Sequence, residues 1–198
     1  MKLEDGMLLY HGSYLGITKI DLGHCSDGKD FGKGFYLTED KQQAVGFIKT
    51  SLKKAKNLNQ IPENQRVGYV SVFRYHEPQD AVPMYRFKTA DRNWLWFISM
   101  NRRSFLAGCF SKRMEAELLR AEIVIGKIAN DTTNPTIVAY LNGLYGDVES
   151  DMAVDFAIRQ LMPDRLKTQY CFLSEKAIAC LEPVEVIRYE QRENDLHR

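Results

Sequence analysis

The chain has no C-x-x-C pair, no histidine spaced from a cysteine as in a zinc finger, no long apolar run and almost no net charge. The missing cysteine pairs exclude the common structural zinc motifs. The four cysteines, Cys25, Cys109, Cys171 and Cys180, therefore read as reduced thiols of a cytoplasmic protein. His24, His76 and His197 form no cluster with Cys or Asp at ligand spacing, so no metal is expected. No run approaches the roughly 18–20 apolar residues that span a bilayer, so no membrane partner is expected. The first residues include acids and no apolar stretch, which argues against a signal peptide. A net charge of +1 gives no bulk argument for a polyanionic partner and leaves room only for a local basic patch. There is no G-x-S-x-G, no internal repeat and no low-complexity tract.

What is there is an ordinary globular composition, 44% apolar, 27% charged and 11% aromatic over 198 residues. The length suits a single domain, placed at 1–190, with a polar tail at 191–198. Met7–Tyr10 reads as a strand, 22–34 as a loop, and Phe35–Leu37 as a short apolar strand. Thr38 is placed to cap a helix over Glu39–Lys56, with Ala44, Phe47, Ile48 and Leu52 near one face. "GYVSVFRY" at 68–75 alternates as a strand should, and Ala81–Arg86 is a weaker strand. Asp91–Ser104 is helical with Asp91 as N-cap, and Met114–Arg120 is a helical turn. Ile123–Gly126 is a buried strand. Helices follow at Asn134–Leu141 and Ser150–Leu161, then a strand at Gln169–Leu173. A helix over Ser174–Leu181 and a strand over Pro183–Tyr189 close the chain. The mixture lacks regular βαβ alternation, which argues for an α+β class.

Two clusters carry the chemistry: "LYHGS" at 9–13 and "DFGKGFYLT" at 30–38. Gly32-Lys33-Gly34 precedes a strand, so it is neither a phosphate loop nor a dinucleotide fingerprint. Alone it makes a tight turn, with Lys33 either solvated or touching a phosphate. Together, in this order, "YHGS" and "FGKGFYLTEDKQQA" resemble the His-Tyr-Glu branch of the ADP-ribosyltransferase superfamily, which includes diphtheria toxin and the poly(ADP-ribose) polymerases. The chain is also similar to small bacterial ADP-ribosyltransferase-like families that carry a domain-of-unknown-function label. They share "DFGKGFY", and match "NWLWFISMNR", "VIGKIAND" and "QYCF" here.

The resemblance implies two small antiparallel sheets around an NAD cleft, with flanking helices. It implies transfer of a single ADP-ribose from NAD to a protein or nucleic-acid acceptor, with release of nicotinamide. His11 and Tyr36 become catalytic residues, and His11, Gly12, Ser13, Tyr14, Gly34, Phe35 and Tyr36 become NAD-binding residues. An imidazole can bond a ribose hydroxyl, a glycine backbone can approach the carboxamide, and a tyrosine ring can stack on nicotinamide. Tyr14 is carried over to the adenine side. Gln169 stands where the branch has its glutamate, and Glu175 is the alternative carboxylate. A glutamine supplies no full charge to stabilise the ribosyl cation. That argues against chain extension and keeps a catalytically silent NAD-binding module beside the transferase. A bacterial enzyme of this kind is expected to be a toxin or defence effector, with an antitoxin as partner. A tRNA 2′-phosphotransferase-like activity needs a His- and Arg-rich set that His11 and Tyr36 do not supply.

Two further stretches allow two readings each. Trp94, Trp96 and Phe97 beside Arg92, Arg102 and Arg103 either hold a nucleic acid or form a core-facing helix with its arginines in water; the second is preferred. Asn130 and Asp131 either cap the next element or line the cleft.

Overall fold

The computed structural model describes residues 2–128, 133–161 and 166–191. Asn130, Asp131 and His197 lie outside the described residues. In chain order the elements are β1 (Leu8–Ser13), β2 (Phe35–Leu37), α1 (Lys41–Asn57), β3 (Val67–Tyr75), β4 (Met84–Arg86) and α2 (Arg92–Arg102). Then come α3 (Ala107–Phe110), α4 (Ala116–Leu119), β5 (Ile123–Lys127), α5 (Asn134–Leu141) and α6 (Asp151–Leu161). The last are β6 (Thr168–Phe172), α7 (Glu175–Ile178) and β7 (Leu181–Glu190). The class is α+β with two small sheets, of order β1-β3-β7 and β2-β6-β5-β4.

The chain forms two compact units. The first draws on the described residues of 1–21, 36–80 and 178–198 and holds the antiparallel sheet β1-β3-β7. Helix α1 packs on β1 and β3. Its Ala44, Ile48 and Leu52 are buried with Val70 and Val72, and Tyr10, Tyr14 and Ile187 pack around them. Each fully buried aliphatic side chain contributes about 1.5–3 kcal/mol relative to exposure. The register slips between Val72 and Phe73, where Phe73 faces Pro183. A proline cannot donate to a ladder, and an edge strand with a bulge accommodates it.

Local chemistry moves several boundaries. The N-cap of α1 is Asp40, whose carboxylate accepts from the N–H groups of Gln42 and Gln43 at 2.9 and 3.1 Å. Thr38 is unsuited to that post because its backbone pairs with Tyr10. Phe47 does not join the core face; it is 45% exposed, one step around the helix from the Ala44–Ile48–Leu52 stripe. The expected helix to Leu181 stops at Ile178. His76 donates its backbone N–H to the Cys180 carbonyl, and Leu181 pairs with Tyr75. The chain is thus in the sheet before the helix can continue.

The second unit draws on the described residues of 22–35 and 81–177. The chain leaves it for the first unit within β2. Strands β5 and β6 are antiparallel, but β4 and β5 run parallel. The sheet is therefore mixed, not antiparallel throughout as expected. A parallel neighbour needs a long crossover, and α2, α3 and α4 lie between these two strands in the chain. The core-facing reading of α2 holds: Trp94 through Ser99 are all buried. Its arginines are not simply solvated. Arg92 pairs with Asp151 and Asp155, and Arg102 with Asp30. No helix of the described residues is long and apolar enough to cross a membrane.

Candidate functional site

His11, Gly12 and Tyr36 belong to the first unit, on or next to one edge of its sheet. Tyr10 and Thr38 exchange both backbone hydrogen bonds, at 2.8 and 3.0 Å. In antiparallel pairing, successive residues direct their backbone groups to opposite sides. Leu9, His11 and Ser13 therefore pair with β3, while Tyr10 and Gly12 direct their N–H and C=O to the Thr38 side. The Tyr75 N–H to Met7 carbonyl bond, at 2.9 Å, fixes the same phase. Continued by two residues each way, the Tyr10–Thr38 register would set Gly12 opposite Tyr36. No ladder forms there; Tyr10–Thr38 stands as an isolated bridge. The two strands part, and the Gly12 backbone points into the fork.

A side chain holds that fork. His11 Nδ1 donates to the Tyr36 carbonyl oxygen at 2.8 Å. A carbonyl only accepts, so Nδ1 carries the proton and the neutral ring has Nε2 as an acceptor. Desolvation pushes the His11 pKa below its ordinary 6.5, against the smaller upward pull of the Tyr36 hydrogen bond. The imidazole is therefore neutral at physiological pH.

Gly12 has a second reason to be glycine. An added Cβ would lie 1.8 Å from the Ala44 carbonyl oxygen of α1. The helix backbone thus lies directly on the strand that carries His11. Ser13 is buried, and its hydroxyl accepts from the Leu15 N–H at 3.4 Å. Tyr14 donates its N–H to the Ser51 hydroxyl at 3.1 Å and packs on the α1–β3 core.

Gly34, Phe35 and Gln169 belong to the second unit. Gly34 is pressed against β6: a Cβ would meet Cys171 Sγ and the Phe172 carbonyl at 2.7 Å each. Phe35 is buried. Lys33, between the two glycines, is exposed, as is Glu175 in the first turn of α7. Gln169 faces Gly126 of β5 and is 5% exposed, yet its Nε2 has no hydrogen-bond partner among the described residues. A buried donor left unmade costs about 1–3 kcal/mol.

The sequence showed Asp30 and the Asn101-Arg102 pair in two separate motifs without joining them. Arg102 grips the Asp30 carboxylate through Nε and Nη2 at 2.9 and 2.7 Å, and Asn101 donates to the Asp30 carbonyl at 3.1 Å. Phe31 is buried against Phe87 and Phe97. Gly32 has a φ of +97°, which a side chain would strain. The "DFGKGF" loop is thereby fixed within its unit. Among the described residues no group of three or more His, Cys, Asp or Glu could hold a metal ion.

The chain belongs to a family described as a protein of unknown function (DUF3990), whose model matches residues 7–182. No curated protein and no solved structure matches it.

Proposed function

We propose that this chain is a mono-ADP-ribosyltransferase that takes ADP-ribose from NAD and releases nicotinamide. The observation that carries the reading is the fork of His11, Gly12 and Tyr36. His11, Gly12 and Tyr36 lie at one sheet edge, and His11 Nδ1 donates to the Tyr36 carbonyl. These residues carry the groups a nicotinamide riboside needs: a carboxamide reads N–H and C=O, a ribose hydroxyl donates to Nε2, and the ring stacks on tyrosine. The resemblance of "YHGS" and "FGKGFYLTEDKQQA" to the ADP-ribosyltransferases supports the same assignment.

The bond between nicotinamide nitrogen and ribose C1 breaks, and its electron pair leaves with nicotinamide, which becomes neutral. The acceptor's nucleophilic atom bonds C1 and gives up its proton. Holding the ribose and the leaving ring in one orientation is the main contribution of such a site. Gln169, in the position of the usual glutamate, carries no charge, which fits one transfer better than chain growth. A neutralising protein partner is the corresponding proposal if the chain is a toxin.

The test is nicotinamide release from NAD with and without cell lysate. Wild type releases nicotinamide and labels a macromolecule; His11→Ala and Tyr36→Ala lower the rate at least about a hundredfold, on the scale of losing an oriented contact. Gln169 in place of a carboxylate favours one second reading, a silent NAD-binding module. NAD binding by calorimetry with no nicotinamide release under any condition would replace the transferase with that module.

A further inference from the structure

The charge of this chain is segregated. Positions 41–62 carry five lysines and no acid, while the remainder carries 22 basic side chains against 26 acidic. Those lysines all lie on α1, the helix whose backbone packs against Gly12. The solvent face of α1 is formed by Gly46, Phe47, Thr50, Lys53, Lys54 and Asn57, all exposed. At 3.6 residues per turn, Phe47 and Lys54 lie about 20° apart around the axis and about 10 Å apart along it. Lys53 flanks them. Phe47 is 45% exposed and stands outside the buried cluster of Ala44, Ile48, Leu52, Val70 and Val72.

Lysines answer phosphates, and an exposed aromatic ring answers an unstacked base; the pairing is that of single-strand binding surfaces. A purely acidic chain would use the lysines but gives Phe47 no partner. The face is also about one helix diameter, roughly 10 Å, from the Gly12 backbone. We propose that the outer face of α1 docks a single-stranded nucleic acid, through phosphates on Lys53 and Lys54 and a base on Phe47. The acceptor of the proposed transfer is accordingly a nucleic acid; that last step rests on the NAD reading, whereas the docking does not.

The experiment is fluorescence anisotropy of labelled 20-nucleotide DNA and RNA strands, without NAD, at 50 and 200 mM salt. Wild type, Phe47→Ala and the Lys53→Glu/Lys54→Glu pair are compared, with polyglutamate as competitor and thermal melting as a check on folding. Expected is binding that weakens about sevenfold over that salt step, as two phosphate contacts on a single strand require. The charge reversal should lower affinity at least about tenfold and Phe47→Ala at least about fivefold, with melting unchanged. No binding at 50 mM salt, binding indifferent to both variants, or polyglutamate competing as well as a nucleic acid would each overturn the docking. A second arm follows label from NAD onto the same strands. Label on the strand, lost in the charge-reversed pair while acceptor-free nicotinamide release persists, supports the acceptor assignment. Nicotinamide release with label found only on lysate protein overturns it. Absence of nicotinamide release would instead sink the NAD reading and leave the anisotropy result standing.

Discussion

The Gly12 Cα rests against the Ala44 carbonyl so closely that a methyl group would lie 1.8 Å from its oxygen. Both partners are backbone, held by a helix packed on the sheet and by a paired strand, so neither yields cheaply. Gly12→Ala must push α1 away from β1 and disturb the buried Ile48 and Leu52. Overpacking of this kind costs about 1–3 kcal/mol, and a clash with backbone lies at the upper end. The expected outcome is a lower urea midpoint at unchanged slope, together with loss of NAD binding. Gly46→Ala, on the open face of the same helix where nothing lies within 4 Å of a new Cβ, should raise stability by about 0.5–1 kcal/mol.

The Asp30–Arg102 pair sets a second expectation. Its side chains are 11% and 16% exposed and joined by two hydrogen bonds. Removing one partner strands the other in a poorly solvated place, which costs about 3–5 kcal/mol for a buried pair. Arg102→Ala and Asp30→Ala should each unfold the second unit at markedly lower denaturant. The double variant Asp30→Leu/Arg102→Met should be milder than the sum of the singles, because no lone charge remains. A denaturation cycle over the four proteins measures the coupling; an additive result would deny that the pair acts as a unit.

His11 makes stability depend on pH in a set direction. Its folded pKa lies below 6.5, so below 6.5 the unfolded chain binds a proton that the folded chain refuses. Its contribution is constant above 6.5 and falls as the pH drops from 6.5 to the folded value. Melting curves from pH 8 to 5 should show a decline below about 6.5 that His11→Gln reduces. Equal declines in both proteins would assign the acid sensitivity to other groups.

Much of this was legible in the sequence. Asn134–Leu141 runs as a helix as its pattern indicates, and Asp91 caps α2. The strand through "GYVSVFRY" forms and starts one residue earlier, at Val67, but it does not alternate as predicted: Val70, Ser71, Val72 and Phe73 are all buried. What misled was competition for a residue. Thr38 looks like a cap, but a strand partner 28 residues away claims its backbone. Phe47 looks like core, but it falls one position past the stripe that Ala44 and Ile48 already fill. The parallel β4–β5 pair depends on a crossover whose path periodicity does not encode. His11 and Tyr36 were readable as types, whereas their link through a carbonyl was not, because any residue offers one.

Gln169 gives the sharpest contrast between folding and ligand binding. Its Nε2 is buried without a partner among the described residues, so it burdens the protein whenever no ligand is bound. Gln169→Leu removes that donor at similar size and should raise stability by up to about 1–3 kcal/mol, less whatever its Oε1 contributes. If Gln169 also serves the proposed NAD reading, the same variant should weaken NAD binding. Gln169→Glu tests charge separately. A carboxylate so enclosed resists ionisation, so this variant should be less stable at pH 8 than at pH 5, relative to wild type at each pH. Calorimetric melting and NAD titration of all three proteins check these outcomes together. A Gln169→Leu protein that is less stable yet binds NAD as before would make the side chain structural and remove it from the site.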